Sequence, residues 1–159
     1  IYQSEIETEK DVLLVTGTNA HIEVRGSKLY AKNGVILHGK SNREDPMATK
    51  INPGEPLYGI KAIFTDMDVN GDFIHEDPDR AMTLFFTHAH ITGAMNGATV
   101  KMDPATTWFS PKNSDICLAQ GIDLGQIDAP EGVTITITCP DMAGLNGRHL
   151  PSGGVVEVK

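Results

Sequence analysis

The sequence lacks an apolar run long enough to cross a bilayer, since even Leu84-Phe85-Phe86 is far shorter than a membrane-spanning segment. It also lacks a basic stripe, because 21 acidic residues outnumber 13 Lys and Arg and the formal net charge is −8. An acidic surface repels phosphate groups, so the composition argues against a nucleic-acid partner. A hydrophobic content of 40% over 159 residues fits one globular domain with its own core.

Amphipathic helix patterns are missing as well. Apolar residues nowhere recur at spacings of three and four over the length of a helix. Residues 18–24 and 132–138 instead alternate between apolar and polar, as half-buried strands do. Sixteen glycines and nine prolines are typical of many short strands joined by turns. The sequence therefore predicts an all-β protein.

Motifs for covalent catalysis are absent. There is no Gly-x-Ser-x-Gly motif, and a catalytic acid pair cannot be selected from 21 acidic residues. The two cysteines, Cys117 and Cys139, match no zinc signature, and the sequence leaves open both a disulfide and a pair of buried thiols. These absences favour a non-catalytic protein over an enzyme.

A weak internal repeat is present. The segment starting at Thr87 (THAHI) echoes segments that start at Thr18 (TNAHI) and at Thr65 (TDMDV). One repeat unit separates Thr65 from Thr87 and three separate Thr18 from Thr87, if the unit is about 22–24 residues long. That length suits one coil of a parallel β-solenoid, with a β-sandwich or jelly roll as the alternative. We expect Thr18 and Thr87 at equivalent positions three coils apart.

The same period predicts two further features. Cys117 and Cys139 are separated by one such period, so we expect them in adjacent coils. Residues 38–56 are polar, contain three prolines and interrupt the pattern, which predicts a surface loop insertion. Residues 1–159 would then be a single β-solenoid domain carrying that loop.

Residues 60–158 resemble the repeat units of right-handed parallel β-helix passenger and adhesin-like proteins of bacterial surfaces. The resemblance rests on degenerate motifs: a GDI-type turn, a strand of small residues, a Thr-Thr-Trp strand and an Asn-rich turn. The corresponding segments are Gly71-Asp72-Phe73-Ile74, residues 98–103 (ATVKMD), Thr106-Thr107-Trp108 and Asn113-Ser114-Asp115. The resemblance implies a secreted or cell-surface protein that interacts with polysaccharide or host glycan. The cysteines and the 38–56 loop depart from it.

A polar run offers a candidate cation site. Asp66, Asp68, Asn70 and Asp72 supply oxygen ligands of the kind Ca²⁺ prefers, and the run begins like an EF-hand loop. Pro78 follows the loop and hinders the exit helix of a true EF-hand. The sequence thus leaves two interpretations, a Ca²⁺ site on a β-scaffold and a solvated turn. Ca²⁺ is the single cofactor that the sequence indicates.

Three further side chains are candidate ligand-binding residues. His88 and His90 are two apart on a predicted strand and so share one face, where they would chelate a metal or lie solvated. If Thr65 stacks on Thr87, Asp66 and Asp68 lie beside these two histidines. Trp108 is the single tryptophan, and its ring either stacks on a sugar or packs between coils.

The function expected from the sequence is that of an exported, non-catalytic β-helix, adhesin-like or carbohydrate-binding. A calcium-dependent polysaccharide lyase or hydrolase on the same fold is the first alternative. A structural module that associates with copies of itself in a fibre or spike is the second.

Overall fold

The computed structural model describes residues 1–42 and 59–159. These residues form strands and two short 3₁₀ helices, Leu124–Gln126 and Pro140–Leu145, which confirms the all-β prediction. The strands are β1 (Glu5–Thr8), β2 (Leu13–Thr16), β3 (Ala20–Arg25), β4 (Lys28–Ala31), β5 (Val35–Lys40), β6 (Ile60–Asn70), β7 (Asp72–His75), β8 (Met82–Thr92), β9 (Met95–Met102), β10 (Thr107–Phe109), β11 (Ser114–Leu118), β12 (Ile127–Asp128), β13 (Thr134–Ile137) and β14 (Val155–Val158). Within this part of the chain, no helix has the length and apolar character needed to span a membrane.

The named strands pair in parallel throughout. One path runs β3, β6, β8 and β9 side by side, and the far end of β8 continues to β10 and β12. A second path runs β2, β5, β7, β9, β11, β13 and β14. Strand β1 pairs with β4 in a separate two-stranded sheet. Because parallel neighbours cannot be joined by a tight hairpin, the chain has to cross back before each new strand.

The register between paired strands agrees with the predicted period in the first half of the chain. The pairs that show it are Glu5 with Lys28, Leu13 with Leu37, and Thr65 with Thr87. The step is shorter between β8 and β9, where Met82 pairs with Ala98. It is longer between β3 and β6, an interval that contains residues 43–58. Most of the predicted 38–56 loop lies outside the described residues and stays a prediction, while β5 continues to Lys40.

The predicted equivalence of Thr18 and Thr87 is wrong. Thr87 pairs with Thr65, as the second echo predicted, but Thr65 pairs with Arg25. Thr18 lies before β3 begins and has no place in this column. The equivalent position in β3 is Arg25, which is followed by Gly26 at a bend, or corner, in the strand path.

Three stacked residues at this corner have left-handed backbone conformations. Gly26, Asp66 and His88 directly follow the column of Arg25, Thr65 and Thr87, and their φ angles are 55°, 54° and 48°. Each corner shifts the alternation, so that Phe64 and Met67 both face inward across Thr65 and Asp66. Asp and His tolerate a positive φ better than most residues, which explains how strands as long as β6 and β8 can turn here.

The inward side chains form one continuous apolar core. Phe64 and Phe86 stack with ring centroids 5.5 Å apart, and Phe73 meets both rings edge-on at 5.3 and 5.5 Å. All three rings are buried, as is Trp108. Edge-on aromatic contacts stabilise a particular packing geometry in addition to burying apolar surface. This cluster therefore holds β6, β7 and β8 in a defined arrangement.

A disulfide closes the later part of the stack. Cys117 and Cys139 are bonded, with their Cα atoms 5.4 Å apart. Cys117 lies in β11 and Cys139 follows β13, and these two strands pair directly through Ile116 and Ile137. The expected proximity of the two cysteines is therefore confirmed, and of the two states that the sequence left open the bonded one is present.

Candidate functional site

A groove crosses the outer surface of four neighbouring strands, β3, β6, β8 and β9. We call it the lysine groove, and its volume is about 540 Å³. The polar and aromatic side chains that line it are Asn19, His21, Lys61, Thr83, Phe85 and Lys101. A concave surface with one aromatic ring and several convergent polar groups is typical of a small-ligand site.

Strand alternation places these side chains outside. In β8, Met82, Leu84 and Phe86 face the core, so Phe85 between them faces the groove. The parallel register then aligns the neighbours, since Lys61 pairs with Thr83 and Phe85 pairs with Lys101. Side chains that are distant in sequence meet in this groove because their strands are adjacent.

Two ammonium groups flank the Phe85 ring. Lys61 Nζ lies 5.3 Å from the ring centroid and Lys101 Nζ lies 5.0 Å from it. They come from opposite sides, because β8 lies between β6 and β9. Each cation–π contact contributes about 0.5–1 kcal/mol at an exposed site, enough to hold the long lysine side chains beside the ring.

The groove is cationic in an otherwise acidic protein. Among the described residues that line it there is no carboxylate, although the chain carries a net charge of −8. Glu23 lies on the same strand as His21, whose Nε2 is 2.9 Å from Glu23 Oε1. Tyr2 donates its hydroxyl to the other oxygen at 2.8 Å. Hydrogen bonds from His21 and Tyr2, with a smaller contribution from the charge of Lys61, lower the pKa of Glu23.

The sequence did not identify the lysine groove, although one signal was available. The apolar run at Leu84-Phe85-Phe86 must place one aromatic ring outside if β8 alternates. The lysines gave no such signal, because only the register brings Lys61 and Lys101 to that ring.

The predicted cation run does not converge on one point. Asp66, Asp68 and Asn70 lie along the exposed face of β6, and Asp66 Oδ2 accepts from Arg25 Nε at 3.1 Å. Asp72 lies beyond Gly71 and is engaged by Lys112 and by the Ala94 amide at 2.9 Å. Within residues 1–42 and 59–159, no three or more His, Cys, Asp or Glu side chains are grouped so as to hold a metal ion.

His88 and His90 are exposed on the outer face of β8, as predicted. Asp68 pairs with His90 across the strands, but the histidine side chains contact residues on the other side of β8. His88 Nδ1 lies 3.4 Å from Asp103 Oδ2, and His90 Nδ1 lies 2.8 Å from Thr107 Oγ1. Burial opposes ionisation of Asp103, yet hydrogen bonds from Thr106 and the His88 amide outweigh it and lower the pKa of Asp103.

Trp108 lies in the core and not on the surface. Its side chain is 1% exposed, and its Nε1 donates to the Gly93 carbonyl at 2.8 Å. This placement agrees with the packing interpretation, and the ring is out of reach of a surface glycan. The aromatic side chain that lines the lysine groove is the half-buried Phe85.

A second polar cluster, also missed by the sequence, surrounds His38. Its Nδ1 lies 3.0 Å from Asp11 Oδ2 and its Nε2 lies 3.0 Å from Glu76 Oε2. Asn33 donates to the other oxygen of Asp11 at 2.7 Å. Burial opposes ionisation of Asp11, but the hydrogen bonds from Asn33 and His38 prevail and lower the pKa of Asp11.

Comparison with protein families, with curated proteins and with solved structures finds no match to this chain. The resemblance to β-helix surface proteins therefore remains a prediction. Function has to be argued from the geometry of the lysine groove.

Proposed function

We propose that this protein is a right-handed parallel β-helix that is exported and binds polysaccharide without catalysing a reaction. Parallel pairing at a step of about 22–24 residues, the spacing of one solenoid coil, supports the fold. The right-handed sense follows from the strong preference of parallel crossover connections for that hand.

The outward Phe85 ring is the observation that carries the function. Sugars present an apolar face of C–H groups that packs on an aromatic ring, with hydroxyl groups around the rim. Thr83 and the second ring nitrogen of His21 lie in the groove with Phe85 and offer hydrogen-bonding groups for such hydroxyls. An aromatic ring with a few polar groups beside it is typical of a ligand-binding site.

The disulfide supports the proposed location. Disulfides such as Cys117–Cys139 form and persist in oxidising compartments and are rare in reducing ones. An open groove on the outside of a sheet also suits a long polymer, because both of its ends can continue into solvent.

A glycan array and an ultraviolet assay for unsaturated uronate product test the proposal together. We expect binding without product, and Phe85→Ala should weaken that binding by about tenfold because the stacking platform is lost. Tyr30→Ala is the matched control, since Tyr30 is an exposed aromatic that does not line the groove. Product formation would favour the lyase, and neither binding nor product would favour a structural module.

A further inference from the structure

The positions of Lys61 and Lys101 define what kind of polysaccharide the groove should select. Neither lysine forms an ion pair with a described carboxylate, and the Phe85 ring is the contact of both ammonium groups. Some other surface lysines are in ion pairs, as Lys32 is with Glu9 and Lys112 is with Asp72. The groove therefore holds two cations with no carboxylate within ion-pair distance among the described residues, although the charge of Lys61 also helps to lower the pKa of Glu23.

The spacing of the cations suits a polymer with repeated charges. The two Nζ atoms lie no more than about 10 Å apart, because each is within cation–π distance of the same ring centroid. They flank the ring from strands on opposite sides of β8. Because both ammonium groups contact the ring, a sugar packs on Phe85 only when each lysine turns from the ring toward a charged group of the polymer.

The surrounding charge favours a glycan over other polyanions. A net charge of −8 repels a highly charged phosphate polymer or an anionic bilayer as it approaches. Duplex DNA carries one charge per about 1.7 Å of its axis, so a polysaccharide with about one charge per sugar has fewer charges per unit length and feels less of this repulsion. Its carboxylate or sulfate groups would form charge-assisted hydrogen bonds with the lysines.

We propose that the lysine groove binds a linear anionic polysaccharide, with Lys61 and Lys101 each turning from the Phe85 ring to a carboxylate or sulfate on either side of a sugar that packs on the ring in their place. This inference rests on the proposed function and adds the class of ligand to it. Carboxylate and sulfate share the chemistry that the lysines recognise, and the experiment separates the two.

Calorimetric titration with dextran sulfate, a polyuronate and uncharged dextran tests the inference. Dextran and dextran sulfate share a backbone, so their difference isolates the charge. We expect one or both anionic polymers to bind and dextran to bind at least about tenfold more weakly. Which anionic polymer binds identifies the group, and binding should weaken with added salt because screening reduces the attraction.

Matched double variants test the residues. Lys61→Gln/Lys101→Gln should weaken binding of the anionic polymer by about a hundredfold, roughly tenfold for each lysine. Lys28→Gln/Lys159→Gln removes the same charge outside the groove and should have little effect. All four lysines are exposed, so the folded state of each variant can be verified by its unfolding midpoint.

The outcomes separate this inference from the proposed function. Equal binding of dextran and dextran sulfate, sensitive to Phe85→Ala, would retain a polysaccharide site and overturn its anionic selectivity. Failure of both anionic polymers to bind would overturn this inference, whereas the proposed function is decided by the glycan array. Equal loss in the two double variants, or tighter binding to DNA or to vesicles of anionic phospholipid, would overturn the inference by revealing general charge attraction.

Discussion

His38 links three segments of the chain through its two ring nitrogens. Asp11 precedes β2, His38 lies in β5, and Glu76 follows β7. The contacts therefore connect three strands that are neighbours in the sheet. The His38 side chain is 12% exposed and that of Asp11 is 16% exposed, so water screens their contact only weakly.

We expect Asp11 to make stability depend on acid. Its folded-state pKa lies below the ordinary value of 3.8, so between the two values the unfolded chain binds more protons than the folded one. Its contribution is therefore complete above about pH 4 and is lost as pH falls through the folded-state pKa. Asp11→Asn should lower the free energy of unfolding by about 1–3 kcal/mol at neutral pH, because hydrogen bonds to a shielded carboxylate are lost.

Urea unfolding of the wild type and Asp11→Asn from pH 7 to pH 2.5 measures this dependence. The difference between them should shrink below about pH 4. Asp115→Asn removes an exposed carboxylate of β11 and serves as the control. A difference that stays constant down to pH 2.5 would show that ionisation of Asp11 does not stabilise the fold.

The corner of left-handed residues determines how β6 and β8 follow the core. Without the positive φ at Asp66 and His88, Met67 and Ala89 would point outward and the second half of each strand would lose its burial. The backbone at these positions is less favourable for residues with a Cβ than for glycine. Gly26, in the same column, has the conformation without that cost.

His88 and His90 should respond in opposite ways to the same two substitutions. His88→Gly should keep or raise stability by up to about 1 kcal/mol, and His88→Val should lower it by about 1–2 kcal/mol, because a β-branched residue is disfavoured at positive φ. At His90, an exposed strand position, Gly should cost about 0.5–1 kcal/mol and Val should be tolerated. Thermal unfolding of the four variants measures this reversal, and the same order at both sites would contradict the corner geometry.

The fate of the repeat prediction has the same structural cause. Thr65 and Thr87 could be aligned from sequence because the pattern after each is the same, with a polar corner residue and then alternating inward positions. The alignment of Thr18 was wrong because the sequence similarity does not show where the strand bends. The bend lies at Gly26, so Arg25 and not Thr18 is the equivalent of Thr65. The shorter step from β8 to β9 was also beyond the sequence, because Gly93 and Asn96-Gly97 are turn signals but do not fix the register of the two strands.

At the scale of the whole molecule, the lysine groove could not have been predicted from sequence. Its members belong to β3, β6, β8 and β9, and only the register brings them together. Trp108 and the polar run at Asp66–Asp72 were predicted as sites because they stand out within short windows. A site assembled across parallel strands has no short window, so a local pattern does not reveal it.

The Cys117–Cys139 bond gives the last prediction, because it joins the neighbouring strand segments of β11 and β13. The bond closes a segment with a sequence separation of 22 residues, and in the unfolded chain it removes conformations that the open chain can visit. For a loop of that size the loss should be about 3 kcal/mol in the free energy of unfolding. The double variant Cys117→Ser/Cys139→Ser should be less stable by this amount in non-reducing buffer.

Reductant provides the internal control for this experiment. Reducing the wild type should bring its urea midpoint close to that of the double variant, and the double variant should not respond to reductant at all. The denatured, unreduced wild type should also show no free thiol, since both cysteines of the chain are bonded. If the oxidised wild type and the double variant unfold at the same urea concentration, then the parallel pairing of β11 with β13 holds these segments together without the bond, and the disulfide adds nothing to stability.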